Sequence, residues 1–301
     1  MMRMCAWGGL VVAAVVAAGV CRAEPVVIGR GAGLFQVGRQ LARDDFANLR
    51  SWEVQLEEKE GFPEARVEVR GGTLDCLVPG RGCTVWFKQP LRTRVTITYE
   101  VRCPVADPAV KGVEPKDVNQ FWLASDPENP GGGLFDSGRY TGDFGTYSKM
   151  NGYYASTGGG RNTTTRMRRY PREVEGKPVE HIALTDKDKR EGFLITPGKP
   201  MRVQLVAYDD LIQYIVDGRL VYEAAFGDTV QVERRDGKGR KVMGEAVYAG
   251  ETFPIHERGF FGFRMVGTHH VYSNFVVHEL VPQEEPQAGG APAAGGGSAA
   301  E

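Results

Sequence analysis

The sequence predicts an all-β chain folded as a β-sandwich, and three observations carry that prediction. Short runs of alternating or β-branched residues recur along the chain with turn signals between them; 40 glycines supply the turns; and helical periodicity is almost absent. The only helix candidates are short, around 39–48 and 144–150. Residues 24–281 suit one large all-β domain, and no solenoid or propeller period is present.

The first segment, "MMRMCAWGGLVVAAVVAAGVCRA", starts positive at Arg3, continues with an apolar run from Ala6 to Val20 and ends on the small residue Ala23. This pattern reads as a secretory signal peptide over 1–23, which makes the mature protein secreted or periplasmic. The apolar run is short for a ~20-residue membrane span. Lipidation at Cys21 is disfavoured, because Val20 stands where lipoprotein signals want a smaller residue. No later segment is apolar enough to span a bilayer. At the other end, 282–301 is rich in Gly, Ala and Pro with little to bury, so a disordered tail is expected.

Between these ends the strand signals come in order. "ARVEV" (65–69) alternates, and "TLDCLV", "CTVWFKQ" and "RVTITYEV" follow with turns between them. "NQFWLAS" (119–125) is a further strand. "VQLVAYDDLIQYIVDGRLVYEA" (203–224) reads as two or three strands with Asp217-Gly218 as a hairpin turn. "VERRDGKGRKV", within 227–250, is an exposed charged hairpin. "GFFGFRMV" (259–266) and "VYSNFVVHEL" (271–280) close the domain.

Beyond the leader the cysteines are Cys76, Cys83 and Cys103. "CLVPGRGC" places Cys76 and Cys83 across a Pro-Gly/Arg-Gly turn, an arrangement suited to a disulfide clip contributing about 2–3 kcal/mol. No CxxC pair marks a zinc site. No metal ligands are assigned, and a structural calcium is left open.

Two long irregular stretches, 125–160 and 171–200, flank "RNTTTRMRRYP" (161–171), and structureless segments of that length are usually functional. Alternation sets the faces of this strand. Met167, with Thr163 and Thr165, belongs to the core, so Thr164, Arg166, Arg168 and Tyr170 share the opposite face. The same test on "NQFWLAS" assigns Phe121 and Leu123 to the core and Gln120, Trp122 and Ala124 outward, where Trp122 would serve as a sugar-stacking platform. Burial of Trp122 under a long loop is the competing expectation. Tyr140, Tyr147, Tyr153 and Tyr154 lie close by in sequence, and tyrosine is a large, amphipathic contact residue.

Arginines beside aromatic rings suit an anion with a ring-like body, because the planar guanidinium binds carboxylates bidentately. Nucleic acid is disfavoured by export and by a pI near 6.6. The alternative is that these arginines pair with the acids of 173–191 on a solvated sheet face.

From Asn119 to Leu280, "NQFWLASDP", "GYYASTGGGRNTTTRMRRY", "VAYDDLIQYIVDGRLVY" and "GFFGFRMVGTHHVYSNFVVHEL" resemble a family of exported bacterial domains of unknown function related to YesU-like proteins of rhamnogalacturonan-degradation clusters. The resemblance implies a two-sheet, concanavalin-like jelly roll with long loops over a concave face, and a role near polysaccharides. Glucanases of this fold carry a strand of alternating Glu and Asp, which is lacking here. Tyr147–Tyr154 approaches the "YxKxGxYxQ" strand of alginate-lyase jelly rolls, with one extra residue and no Gln.

The expected activity is β-elimination on a uronate-containing polysaccharide. Arg166 and Arg168 would neutralise the carboxylate, Gln120 or Asn162 would donate hydrogen bonds, Trp122, Thr164 and Tyr170 would line the substrate, and Tyr147, Tyr154 or His269 would act as base. His269 is expected in a loop between the last two strands. The scheme requires no cofactor. The alternatives are a non-catalytic binding module for acidic glycans and a protein-interaction domain.

Overall fold

β-branched and aromatic residues dominate the segments that pair, and the computed structural model places nearly all of them in antiparallel ladders. It describes residues 24–174, 177–178, 181–186, 193–250 and 253–283. The expected signal peptide, 1–23, and all but the first two residues of the expected disordered tail, 282–301, lie outside the described residues. The strands, in chain order, are β1 (Phe35–Asp44), β2 (Trp52–Leu56), β3 (Arg66–Arg70), β4 (Thr73–Arg92), β5 (Val95–Arg102), β6 (Val118–Ser125), β7 (Asn151–Gly158), β8 (Thr164–Tyr170), β9 (Glu173–Val174), β10 (Lys177–Pro178), β11 (His181–Asp186), β12 (Pro200–Tyr208), β13 (Leu211–Val216), β14 (Arg219–Ala224), β15 (Thr229–Arg235), β16 (Lys241–Val247) and β17 (Arg258–Pro282).

Two long strands, β4 and β17, join the layers of the sandwich. The first half of β17 pairs with β6 and with the second half of β4, and the ladder continues through β7, β8 and β11 as the front sheet. The second half of β17 pairs with the first half of β4 and with β5, leading to β12, β13 and β14 as the back sheet. Between the layers lies one apolar core, with Val85, Trp122, Tyr153, Met167 and Phe263 from the front and Ile97, Tyr99, Leu205, Tyr214 and Val277 from the back. The N-terminal segment straps the outer face of the back sheet. Gln204 exchanges two hydrogen bonds with the Val26 backbone, and Gln213 donates to the Ile28 carbonyl. A second apolar layer covers the outer face of the front sheet, where segment 126–150 sets Leu134, Tyr140, Tyr147 and Met150 onto Trp86, Phe121, Tyr154 and Tyr170.

Several sequence expectations change here. The stretch at 39–48 is not helical: β1 occupies most of it, and two register shifts against β17 disguise its alternation. Residues 144–149 form a 3-10 turn. Cys76 and Cys83 are free, because no hairpin separates them. Both sit on the continuous β4, opposite His270 and Met265 of β17, and the Pro-Gly step between them is a bulge with Gly80 at φ 62. The last two expected strands are likewise one, passing through Gly267 at φ 55. Among the described residues no helix is long and apolar enough to cross a membrane.

Candidate functional site

Residues directly opposite on antiparallel strands project to the same side, so the pairing register reads out the front sheet's outer face. One row runs Gln55, Thr84, Arg264, Asn119, Ser156, Arg166, from β2 to β8. The next runs Trp86, Gly262, Phe121, Tyr154, Arg168. The alternation read from β8 therefore holds: Met167 is in the core, Thr165 is buried behind the sheet with its hydroxyl donating to the Phe193 carbonyl, and Thr164, Arg166, Arg168 and Tyr170 share the outer face.

Arg168 is the most informative residue on that face. It is only 8% exposed, yet its Nε has no hydrogen-bond partner, and no ion pair forms to it among the described residues. A buried guanidinium ordinarily comes with an acid or several carbonyls, because an uncompensated charge is costly to bury. Tyr154 stands directly across the ladder on one side and Ala183 on the other, and Tyr170 follows two residues along the same face. Burial raises the pKa of both phenols while the Arg168 charge works in the opposite direction.

Arg264 brings a second charge to this face. It is 1% exposed, its Nη1 donates to the Cys83 and Met265 carbonyls at 2.9 and 3.0 Å, and its guanidinium lies over the Phe144 and Tyr147 rings. Two glycines make the space. A Cβ on Gly82 would stand 2.7 Å from Arg264 Nη2, and one on Gly262 would stand 2.5 Å from the Trp86 ring. Asp117 enters β6 at φ 59, half-buried at the rim. Burial raises its carboxyl pKa, and Lys116, the Asn119 amide, Arg264 and Arg166 oppose that rise. Buried polar atoms without a partner gather here as well, among them Thr84 Oγ1, Asn119 Oδ1, Thr164 Oγ1 and Arg264 Nε. The assembly can grip an anionic group on guanidinium nitrogens and offer phenol hydroxyls to its neighbours.

Five predicted site residues are committed to other contacts. Gln120 and Trp122 face the inter-sheet core: Tyr99 donates to Gln120 Oε1 at 2.6 Å, and Trp122 is fully buried against Tyr153. The assumed faces of Gln120, Phe121 and Trp122 are inverted, whereas Leu123 is in the core and Ala124 outside as expected, because a bulge at Leu123, φ 49, turns Trp122 and Leu123 both inward. Asn162 clamps the neighbouring loop, its amide exchanging two hydrogen bonds with the Ile195 backbone. Tyr147 is fully buried, its hydroxyl donates to Gln55 Oε1 and accepts from the Gly142 N–H, and burial pushes its pKa up to about 12. It is a packing residue of the covering segment. His269 lies in the back-sheet half of β17 with Nε2 2.9 Å from Asp75 Oδ1, away from the arginine face.

Arg264, Asn119, Ser156 and Asp117 were missed, although a signal existed for Arg264. In "GFFGFRMV" it alternates against Phe261, Phe263 and Met265, all of which are core residues. Among the described residues no group of three or more His, Cys, Asp or Glu side chains could hold a metal ion.

Comparison with solved structures supports the fold. A Bacillus subtilis protein of unknown function with a galectin-like fold superposes with a TM-score of 0.54 at 16% identity, covering 83% of this chain and 100% of that one. The catalytic domain of PdAgaC superposes with a TM-score of 0.51 at 10% identity, covering 89% and 97%. Comparison with curated proteins gives no match. The profile of one protein family matches residues 77–233, more than half of the chain and the part that carries β6, β7 and β8, and the chain therefore belongs to the family described as domain of unknown function DUF6250.

Proposed function

We propose that this is an exported carbohydrate-active protein whose front-sheet face captures an acidic, uronate-containing glycan. The observation that carries this reading is Arg168, a buried guanidinium that no carboxylate pairs with among the described residues, with Tyr154 across the ladder and Tyr170 two residues along the same face. A sugar carboxylate supplies the missing counter-charge, and phenol rings and hydroxyls suit the sugar body. Jelly rolls serve as lectin domains in other proteins, in agreement with this reading.

One further observation favours lyase chemistry over binding alone: Tyr154 stands directly across the ladder from Arg168. With the carboxylate neutralised by Arg168, the Tyr154 oxygen would take the proton next to it. The bond to the glycosidic oxygen on the adjacent carbon would break, a carbon–carbon double bond would form, and the departing oxygen would collect a proton from solvent. Because burial raises the Tyr154 pKa, such a reaction accelerates as pH rises into the alkaline range.

Incubation of the full chain with a panel of acidic polysaccharides tests both readings. Ultraviolet absorbance from a conjugated unsaturated uronate supports the lyase; binding without absorbance supports a non-catalytic module. Silence on every acidic glycan together with a stable oligomer would instead favour a protein-interaction role.

A further inference from the structure

A pocket of about 340 Å³ opens in the covering segment 126–150, within the size range of small-molecule sites, about 300–1,000 Å³. Its lining includes Asp126, Glu128, Arg139, Tyr140, Ser148 and Lys149. Asp126 is buried and holds the loop: Oδ1 accepts from the Glu128 N–H at 3.0 Å and Oδ2 from Arg139 Nη1 at 2.7 Å. Glu128 lies 3.4 Å from the same Arg139 nitrogen, at the exposed mouth. Tyr140 is buried and stacks on Tyr147 at 5.5 Å and 7°, and Tyr147 in turn packs on Phe121, which shares a row with Arg168 on the outer face. The Arg172 N–H donates to the Ser148 carbonyl at 2.7 Å, which ties the pocket wall to the chain just after Arg168. One aromatic layer on the outer face thus links Tyr140 of the pocket with Tyr154 and Tyr170.

The pocket and the arginine face differ in their electrostatics. In the pocket two carboxylates balance Arg139 and Lys149, and the hydroxyls of Tyr140, Thr146 and Ser148 complete the lining. An acidic sugar ring would meet Glu128 at the mouth, whereas an uncharged ring can donate its hydroxyls to it, with Asp126 behind held by Arg139 and the Glu128 N–H. We infer that this pocket is a second subsite, taking a neutral, hydroxyl-rich sugar unit that neighbours the acidic unit at Arg168 in the same glycan. This inference rests on the acidic-glycan reading above and deepens it.

The test is calorimetric titration of the full chain with two probes. One is a hyaluronan hexasaccharide, in which uronate alternates with a neutral amino sugar; the other is a galacturonate hexamer, in which every unit is acidic. The alternating oligosaccharide is expected to bind roughly fivefold or more tightly than the all-acidic one. Glu128→Arg, at an exposed position, should erase or reverse that preference, and Arg168→Ala should weaken both ligands. An unchanged preference in Glu128→Arg, or a wild-type preference for the all-acidic probe, overturns the second subsite alone, provided Arg168→Ala still weakens binding. Failure of both probes to bind, or affinities indifferent to Arg168→Ala, overturns the subsite and the acidic-glycan reading together.

Discussion

A guanidinium does its work here through what it lacks. Arg169, one position along from Arg168, is also buried, but its Nε and Nη2 donate to the Pro254 carbonyl and its charge lies over the Phe253 ring. Among the described residues Arg168 Nε has no such acceptor, which leaves this guanidinium for a ligand. Arg168→Ala is therefore expected to weaken an acidic glycan by tenfold or more, about 1.4 kcal/mol. Arg168→Lys should recover only part of this, because an ammonium is a point charge without the bidentate fork. Calorimetric titration of the two variants measures the difference. At Tyr154 the expectation divides binding from chemistry. Tyr154→Phe removes the oxygen across from Arg168 but keeps the ring that packs on Phe121 and Tyr170. Binding should persist, and any release of unsaturated product should cease.

At the scale of the element, the front sheet differs from a half-solvated sheet in being covered on both sides. That explains which strands could be read from alternation. In β8 the outer face is arginine and threonine, so one apolar residue, Met167, was enough to orient it. In β6 both faces are apolar, with Phe121 under the covering segment and Trp122 in the core, and no alternation rule can choose between two aromatic rings. The bulge at Leu123, which sends two successive side chains inward, has no signature in "NQFWLAS". The outer face also depends on missing side chains. Gly262→Ala should cost about 1–3 kcal/mol, because its methyl would displace the fully buried Trp86 ring and its bond to Gln55; chemical denaturation measures the loss. β4 yields a third expectation. Cys76 and Cys83 are separate buried thiols, and burial pushes Cys83 up to about 12 and Cys76 well above its ordinary value. They should resist thiol reagents in the native protein and react on unfolding, with no disulfide-linked peptide joining the two in mass spectra.

Over the whole molecule, the sandwich was legible because it follows from many short alternating segments, whereas the site depends on a few bulges and on a covering segment whose position is set by tertiary packing. The same packing makes stability depend on pH. His256 and His270 are buried, and burial lowers each pKa to about 3; Arg169 pushes His256 the same way, while the Lys116 carbonyl opposes the shift at His270. Between the ordinary imidazole value near 6.5 and about 3, the unfolded chain takes up protons that the native state refuses. The stability these two imidazoles contribute is complete above about 6.5 and falls as pH drops through that window, so Tm measured by calorimetry should decline from pH 6.5 downward. The central claim is tested most directly by titrating the full chain and its Arg168→Ala variant with one uronate oligosaccharide and with the same oligosaccharide after reduction of its carboxyl groups to alcohols. Tight binding is expected for the acidic form alone, weakened tenfold or more in Arg168→Ala; equal affinity for the two forms, or affinity unchanged in Arg168→Ala, overturns the acidic-glycan reading.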